Sequence, residues 1–236
     1  MKSKSYRRAF TLLEIVVILG IIALFLALLV PFVVRTRQGG RSAACVRNMQ
    51  GIGKAMAAYV AEHEGRLPGP LTRDQYPVDS AGTPPRDGQL LKHLGTYLEQ
   101  QPGGARAVFT FPAWQTAQRA TDAAVFLANV DTVLPYDQSP WGDMEARGKG
   151  PMKAEDLRTV QFTIGETKQT TELAKFYALT EADQVLARIV ADKVEPWLER
   201  LPANAVHVSH RNALFFDWHV DKLVLTNSSM TPPTAD

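Results

Sequence analysis

The run Ile15–Val34, IVVILGIIALFLALLVPFVV, constrains this chain more than any other feature: twenty residues without a charge or a strongly polar side chain. As a helix it rises about 30 Å, the thickness of a bilayer's hydrocarbon core. A cleavable secretory signal needs small residues just beyond its apolar core, whereas the sequence there reads LLVPFVVRTR, with bulky groups throughout. The run is therefore expected to stay on the chain as a single span. Charge counting does not orient it. Lys2, Lys4, Arg7 and Arg8 precede the run, and Arg35, Arg37, Arg41 and Arg47 follow it.

The rest of the chain has the balance of a folded domain. Of 236 residues, 45% are hydrophobic and 21% charged, enough for one sizeable domain beside a membrane segment. The sole cysteine, Cys45, excludes an intramolecular disulfide and any multi-cysteine zinc or iron–sulfur centre. The net charge is +2, and the first nine residues alone carry four basic groups and no acid, so the remainder is at −2. The sequence pI of 8.7 thus reflects the N-terminal end, and no nucleic-acid footprint is expected.

Glu14 sets this segment apart from a plain anchor. A carboxylate deep in a bilayer costs about 2.5–3.5 kcal/mol, less near the interface, so one retained beside an apolar run points to a use. In context the sequence reads Arg7-Arg8-Ala9-Phe10-Thr11-Leu12-Leu13-Glu14-Ile15-Val16. This closely resembles the type IV prepilin signal shared by pilins and type II secretion pseudopilins. The resemblance implies a cytoplasmic leader, residues 1–9, cut by a prepilin peptidase between Ala9 and Phe10, with N-methylation of Phe10. It also implies a bacterial inner-membrane protein with its C-terminal domain exported to the periplasm, or surface-exposed if part of a pilus. Ala9 departs from the glycine usual before the cut, and cleavage is still expected. Pairing the new α-amine of Phe10 with Glu14 of a neighbouring subunit would neutralise two charges costly in apolar surroundings and fix subunit register.

Past the span, Val46, Met49, Ile52, Met56, Tyr59 and Val60 recur every three or four residues. That is an amphipathic helical stripe, ending before Gly65 with Pro68 and Pro70 beyond. The expected organisation is a transmembrane helix over 10–34, its amphipathic continuation over 35–64, an exported head over 65–226 and a disordered tail over 227–236. From Phe10 to Glu64 an unbroken helix would be roughly 80 Å long. Pro31 and the Gly39-Gly40 pair are its weak points. Cys45, near the stripe, reads as a small packing residue.

The stretch from Arg41 through Cys45, Asn48, Ile52 and Tyr59 to Gly65-Arg66-Leu67-Pro68 also resembles the post-membrane helix of a large pseudopilin-like family of planctomycete and verrucomicrobial genomes. That family often ends in His, nine residues, then Asp-Gly. His207 and Asp217 stand at that separation, with Trp218 in place of the glycine. A positive backbone angle suits tryptophan poorly, so a turn unlike the family's is expected there.

The implied fold is α+β and pilin-like, a long N-terminal helix packed on an antiparallel sheet. In the head a helix is predicted over Leu90–Leu98. Strands are predicted over Ala107–Phe111, Ala124–Val130, Thr159–Ile164, Lys175–Leu179, Ala213–Phe216 and His219–Leu225, on β-branched and aromatic content. Thr180 and Asp183 read as a capping box opening a helix through Val190. Gly65–Gly88 and Pro135–Pro151 read as long loops.

No nucleophile, zinc-protease, phosphate-loop or dinucleotide motif is present, so no catalytic residue, enzyme activity or cofactor is expected. His207, His210, Asp217, His219 and Asp221 form the one suggestive constellation. If a terminal hairpin gathered His207, Asp217 and His219, they could bind a divalent metal. The favoured expectation is structural, with Leu214, Phe216, Val220 and Leu223 filling the core and Asp217 capping the turn. The expected partners are the peptidase and methyltransferase, the inner membrane, and copies of the chain or other pseudopilins in a filament. A type IV pilus subunit and a monomeric membrane-tethered binding domain are the alternatives.

Overall fold

The computed structural model describes residues 12–77, 85–100, 103–109, 123–131, 138–144, 149–157, 159–164, 167–172, 176–190, 195–207 and 210–223. Ala9, Phe10 and the C-terminal tail lie outside the described residues, and no side chain is described for 31–38, 106, 157, 159–164, 167–172 or 189–190. The chain divides into two compact units, Met1–Arg41 and Ser42–Asp236.

One helix, α1 (Leu12–Glu62), dominates the first unit and enters the second. Pro31 and Gly39-Gly40 lie within it. Glu64 and Gly65 both take positive φ, and the Gly65 N–H reaches back to the Val60 carbonyl at 2.9 Å. That contact satisfies a terminal carbonyl and stops the helix within two residues of the predicted Glu64.

The second unit is α+β. Its main sheet contains β1 (Asp74–Gln75), β2 (Phe126–Ala128), β5 (Tyr177–Glu181), β6 (Arg211–Phe215) and β7 (Val220–Leu223), in the order β1-β2-β5-β6-β7. Every pairing is antiparallel. A separate hairpin joins β3 (Thr159–Ile164) to β4 (Thr167–Glu172). Central strands β2, β5 and β6 are buried along their whole length, consistent with their Phe, Leu and Ala content.

From α1, Cys45, Met49, Ile52 and Met56 contribute fully buried side chains to this core. The apolar face is thus centred one residue away from the predicted Val46, which is only half-buried. Gly53 explains how closely the helix can approach. A Cβ there would lie 3.0 Å from both Leu214 Cδ1 and the Trp218 carbonyl oxygen, so a bare backbone is needed at this contact.

The predicted α2 (Leu90–Leu98) buries Leu90, Leu94 and Leu98 along one face. Its first free N–H, on Leu90, is accepted at 2.6 Å by the Gln75 side chain from β1. The Tyr97 hydroxyl donates to Glu62 at 2.6 Å, linking α2 to the end of α1.

Two predicted elements need correction, and one strand was not predicted. Residues from Ala107 to Phe109 are not strand: Ala107 and Val108 end the short helix α3 (Gly104–Val108), and Phe109 follows it. The chain enters α3 through left-handed Gly103 and Gly104, and its alanines favour helix over the β-propensity of Val108 and Phe109. The cap of α4 (Gln184–Val190) is Asp183, whose Oδ1 accepts the Leu186 N–H at 3.0 Å. Thr180 belongs instead to β5, where its hydroxyl donates to the Asn212 carbonyl at 3.3 Å. Strand β4, TKQTTE, has no apolar residue to announce it.

Candidate functional site

Two places in the molecule carry unusual chemistry. The first is the N-terminal part of α1. Leu12–Val30 is 19 residues with mean hydropathy 3.1, and none of it is buried within the protein. It is the one helix among the described residues long and apolar enough to cross a membrane. Glu14, in the first helical turn, is its only ionisable residue.

The second place is in the core of the head, where three elements converge. Cys45 comes from α1, Glu181 ends β5, and His207 lies in the turn that leads towards β6. Their donor atoms, the Cys45 Sγ, a Glu181 carboxylate oxygen and a His207 ring nitrogen, all lie within 4.8 Å of one another. Cys45 is 0% exposed and Glu181 1%. His207 Nε2 lies 3.2 Å from Glu181 Oε1, with 6% of the histidine side chain exposed.

Asn212 of β6 donates its Nδ2 to the same Glu181 oxygen at 2.7 Å, fixing the carboxylate's orientation. The other oxygen, Glu181 Oε2, is buried without a hydrogen-bond partner among the described residues. The His210 ring stacks on His207 at 5.3 Å. Burial lowers the His210 pKa, and the neighbouring His207 and Lys222 lower it further.

A second buried acid shows the contrast. Asp183 is clamped by Arg211, with Oδ2 facing Nε and Oδ1 accepting from a terminal guanidinium nitrogen at 2.8 Å. Both of its oxygens have partners and its charge is matched, as burial requires. Among the described residues Glu181 has no arginine or lysine paired with it, only His207.

The histidine–aspartate constellation separates into two. Asp217 and His219 belong to the β6–β7 hairpin, where Asp217 Oδ1 accepts the His219 N–H at 3.2 Å and faces His219 Nδ1. Asp217 therefore caps the turn, as expected of it, with the Phe215 ring stacked on His219 at 4.4 Å. His207 turns instead to Glu181, and Asp221 accepts the Lys222 N–H at 2.7 Å.

The hairpin's Trp218 takes φ 70°, the left-handed angle a glycine would adopt. This corrects the expectation that tryptophan would force a different backbone. The Trp218 N–H binds the Phe215 carbonyl at 2.9 Å, and its ring packs against the core. Those contacts offset a cost of about 1–2 kcal/mol for a side chain in that region.

Glu181 is the residue that sequence reasoning missed. Its only signal was an acid ending an apolar strand, YALTE, and acids at strand ends are ordinary. No family model, curated protein or solved structure matches the chain.

Proposed function

We propose that this chain is a structural, pseudopilin-like subunit: its leader is removed between Ala9 and Phe10, and the α1 segment then assembles with neighbouring subunits into a type II secretion-type filament. The observation that carries this reading is the N-terminal part of α1, a 19-residue apolar surface left uncovered by the protein and marked by one carboxylate in its first turn. A span that served only as an anchor has no need of Glu14, whereas a helix bundle in apolar surroundings gains register from pairing it with a neighbour's Phe10 amine. Under this reading the head is pilin-like, lies in the periplasm, and makes lateral contacts rather than catalysing a reaction. A filament subunit needs no cofactor for that role.

The test uses the full chain in its native membrane. Intact-mass measurement should find a chain beginning at Phe10 and heavier by one methyl group, and a retained leader in the mature population would count against the assignment. Glu14→Gln preserves size and removes charge, so membrane insertion should persist while incorporation into filaments is lost. Normal assembly of that variant would sink the pairing with the neighbour's amine, and a processed chain that stays monomeric after detergent extraction would favour a tethered binding domain instead.

A further inference from the structure

We propose that Cys45, Glu181 and His207 form a zinc-class metal site that fastens α1 to the sheet of the head. The proposal does not depend on the filament reading. Three chemically suitable donors from three elements far apart in sequence lie within 4.8 Å of one another in the core. In a tetrahedral zinc centre such donors stand roughly 3.6 Å apart, given bonds of about 2.3 Å to sulfur and about 2.0–2.2 Å to nitrogen and oxygen. Small side-chain rotations would close the remaining gap.

Charge supports the assignment independently. Glu181 is 1% exposed, and among the described residues no arginine or lysine is paired with it, unlike Asp183 with Arg211; the basic group against it is His207. Its Oε2 is buried with no donor among the described residues. A carboxylate with one oxygen unsatisfied in the core is costly. A divalent ion held by a thiolate, a carboxylate and a neutral imidazole makes the cluster neutral and satisfies that oxygen. On binding, Cys45 gives up its thiol proton to solvent.

The donor set also selects the ion. One sulfur, one nitrogen and one carboxylate suit zinc and its borderline neighbours, whereas calcium and magnesium require several oxygens. Asn212, holding Glu181 Oε1 at 2.7 Å, orients the ligand as outer-shell partners of metal sites do. Three protein donors leave the fourth tetrahedral position to a further ligand.

The experiment uses the full chain in detergent, purified without a polyhistidine tag. After dialysis against a weak chelator, elemental analysis should find one zinc per chain. Replacing zinc by cobalt should give a sulfur-to-cobalt charge-transfer band. Because Cys45 is the only cysteine, that band can arise only from this site. Cys45→Ala and Glu181→Gln should each lose the retained metal, and Asn212→Ala should weaken retention about tenfold. A strong chelator should lower the wild-type melting temperature and leave that of Cys45→Ala unchanged. Wild-type protein that takes up cobalt without the thiolate band, or retains no more zinc than Cys45→Ala, overturns the proposal. The cobalt spectrum of the wild type decides the matter even if both ligand variants fail to fold.

Discussion

The two ends of α1 have the same secondary structure and opposite surroundings. In the first, Leu19, Leu24 and Phe25 are 60%, 65% and 67% exposed; in the second, Met49, Ile52 and Met56 are 0% exposed. Apolar residues encircle the first stretch, while the second alternates a buried face with exposed Arg47, Gln50 and Lys54. Helix propensity does not separate them. The polar face does: a helix apolar all round suits lipid or other helices, and one with a single apolar face suits a sheet.

The largest test of that contrast deletes the same kind of side chain from each end. Ile52→Ala should destabilise the head by about 2–5 kcal/mol, through lost burial and the cavity left behind. Leu24→Ala should leave the head's melting temperature unchanged. Thermal unfolding of the full chain in detergent measures both, and equal losses would show that the two stretches are not covered differently.

Glycine substitution gives a smaller effect of opposite sign at the two ends. Gly53→Ala drives a methyl against Leu214 and the Trp218 carbonyl, and should cost about 1–3 kcal/mol by overpacking. Gly20 has nothing within 4 Å of the added carbon. Gly20→Ala should therefore be neutral, or favour the helix by up to about 1 kcal/mol. Melting curves and far-ultraviolet circular dichroism distinguish the two, and a destabilising Gly20→Ala would reveal packing around the first stretch.

Acid should produce the smallest change, confined to the head. Burial lowers the His93 pKa, with Lys92 and His63 adding to the effect, and Tyr59 of α1 packs edge-on against its ring at 6.2 Å. A histidine lowered on folding binds fewer protons folded than unfolded. Its stability contribution is therefore complete above the ordinary value of about 6.5 and is lost as pH falls through that value towards the folded pKa. His93→Gln should flatten the decline in melting temperature between about pH 7 and about pH 5. An unchanged slope would remove His93 from the acid response.

Much of the head's outline was legible because its signals are local. Leu90–Leu98 and Thr159–Ile164 match the predicted bounds, and β2, β5, β6 and β7 overlap the predicted strands. In α2 and β3 apolar side chains recur with the period of the element, while β2 and the buried central strands show as short apolar stretches. Strand β4 escaped because its side chains are polar, leaving only backbone pairing with β3 to define it. Ala107–Phe109 misled because strand-forming residues closed a helix entered through two left-handed glycines.

The sequence by itself determined the twenty-residue apolar run Ile15–Val34, the carboxylate at its edge and the amphipathic stripe that follows, since each depends on composition and periodicity along one stretch of chain. Only the tertiary structure decided the rest. Cys45 and His207 are 162 residues apart, and nothing local shows that sheet pairing brings them to Glu181. The sheet also separates His207 from Asp217, placing one beside Glu181 and the other in the hairpin turn. Trp218 holds a glycine-like angle because its ring packs against the core and its N–H is bound by Phe215. A propensity describes a residue among its chain neighbours, whereas these positions are set by what lies across the core.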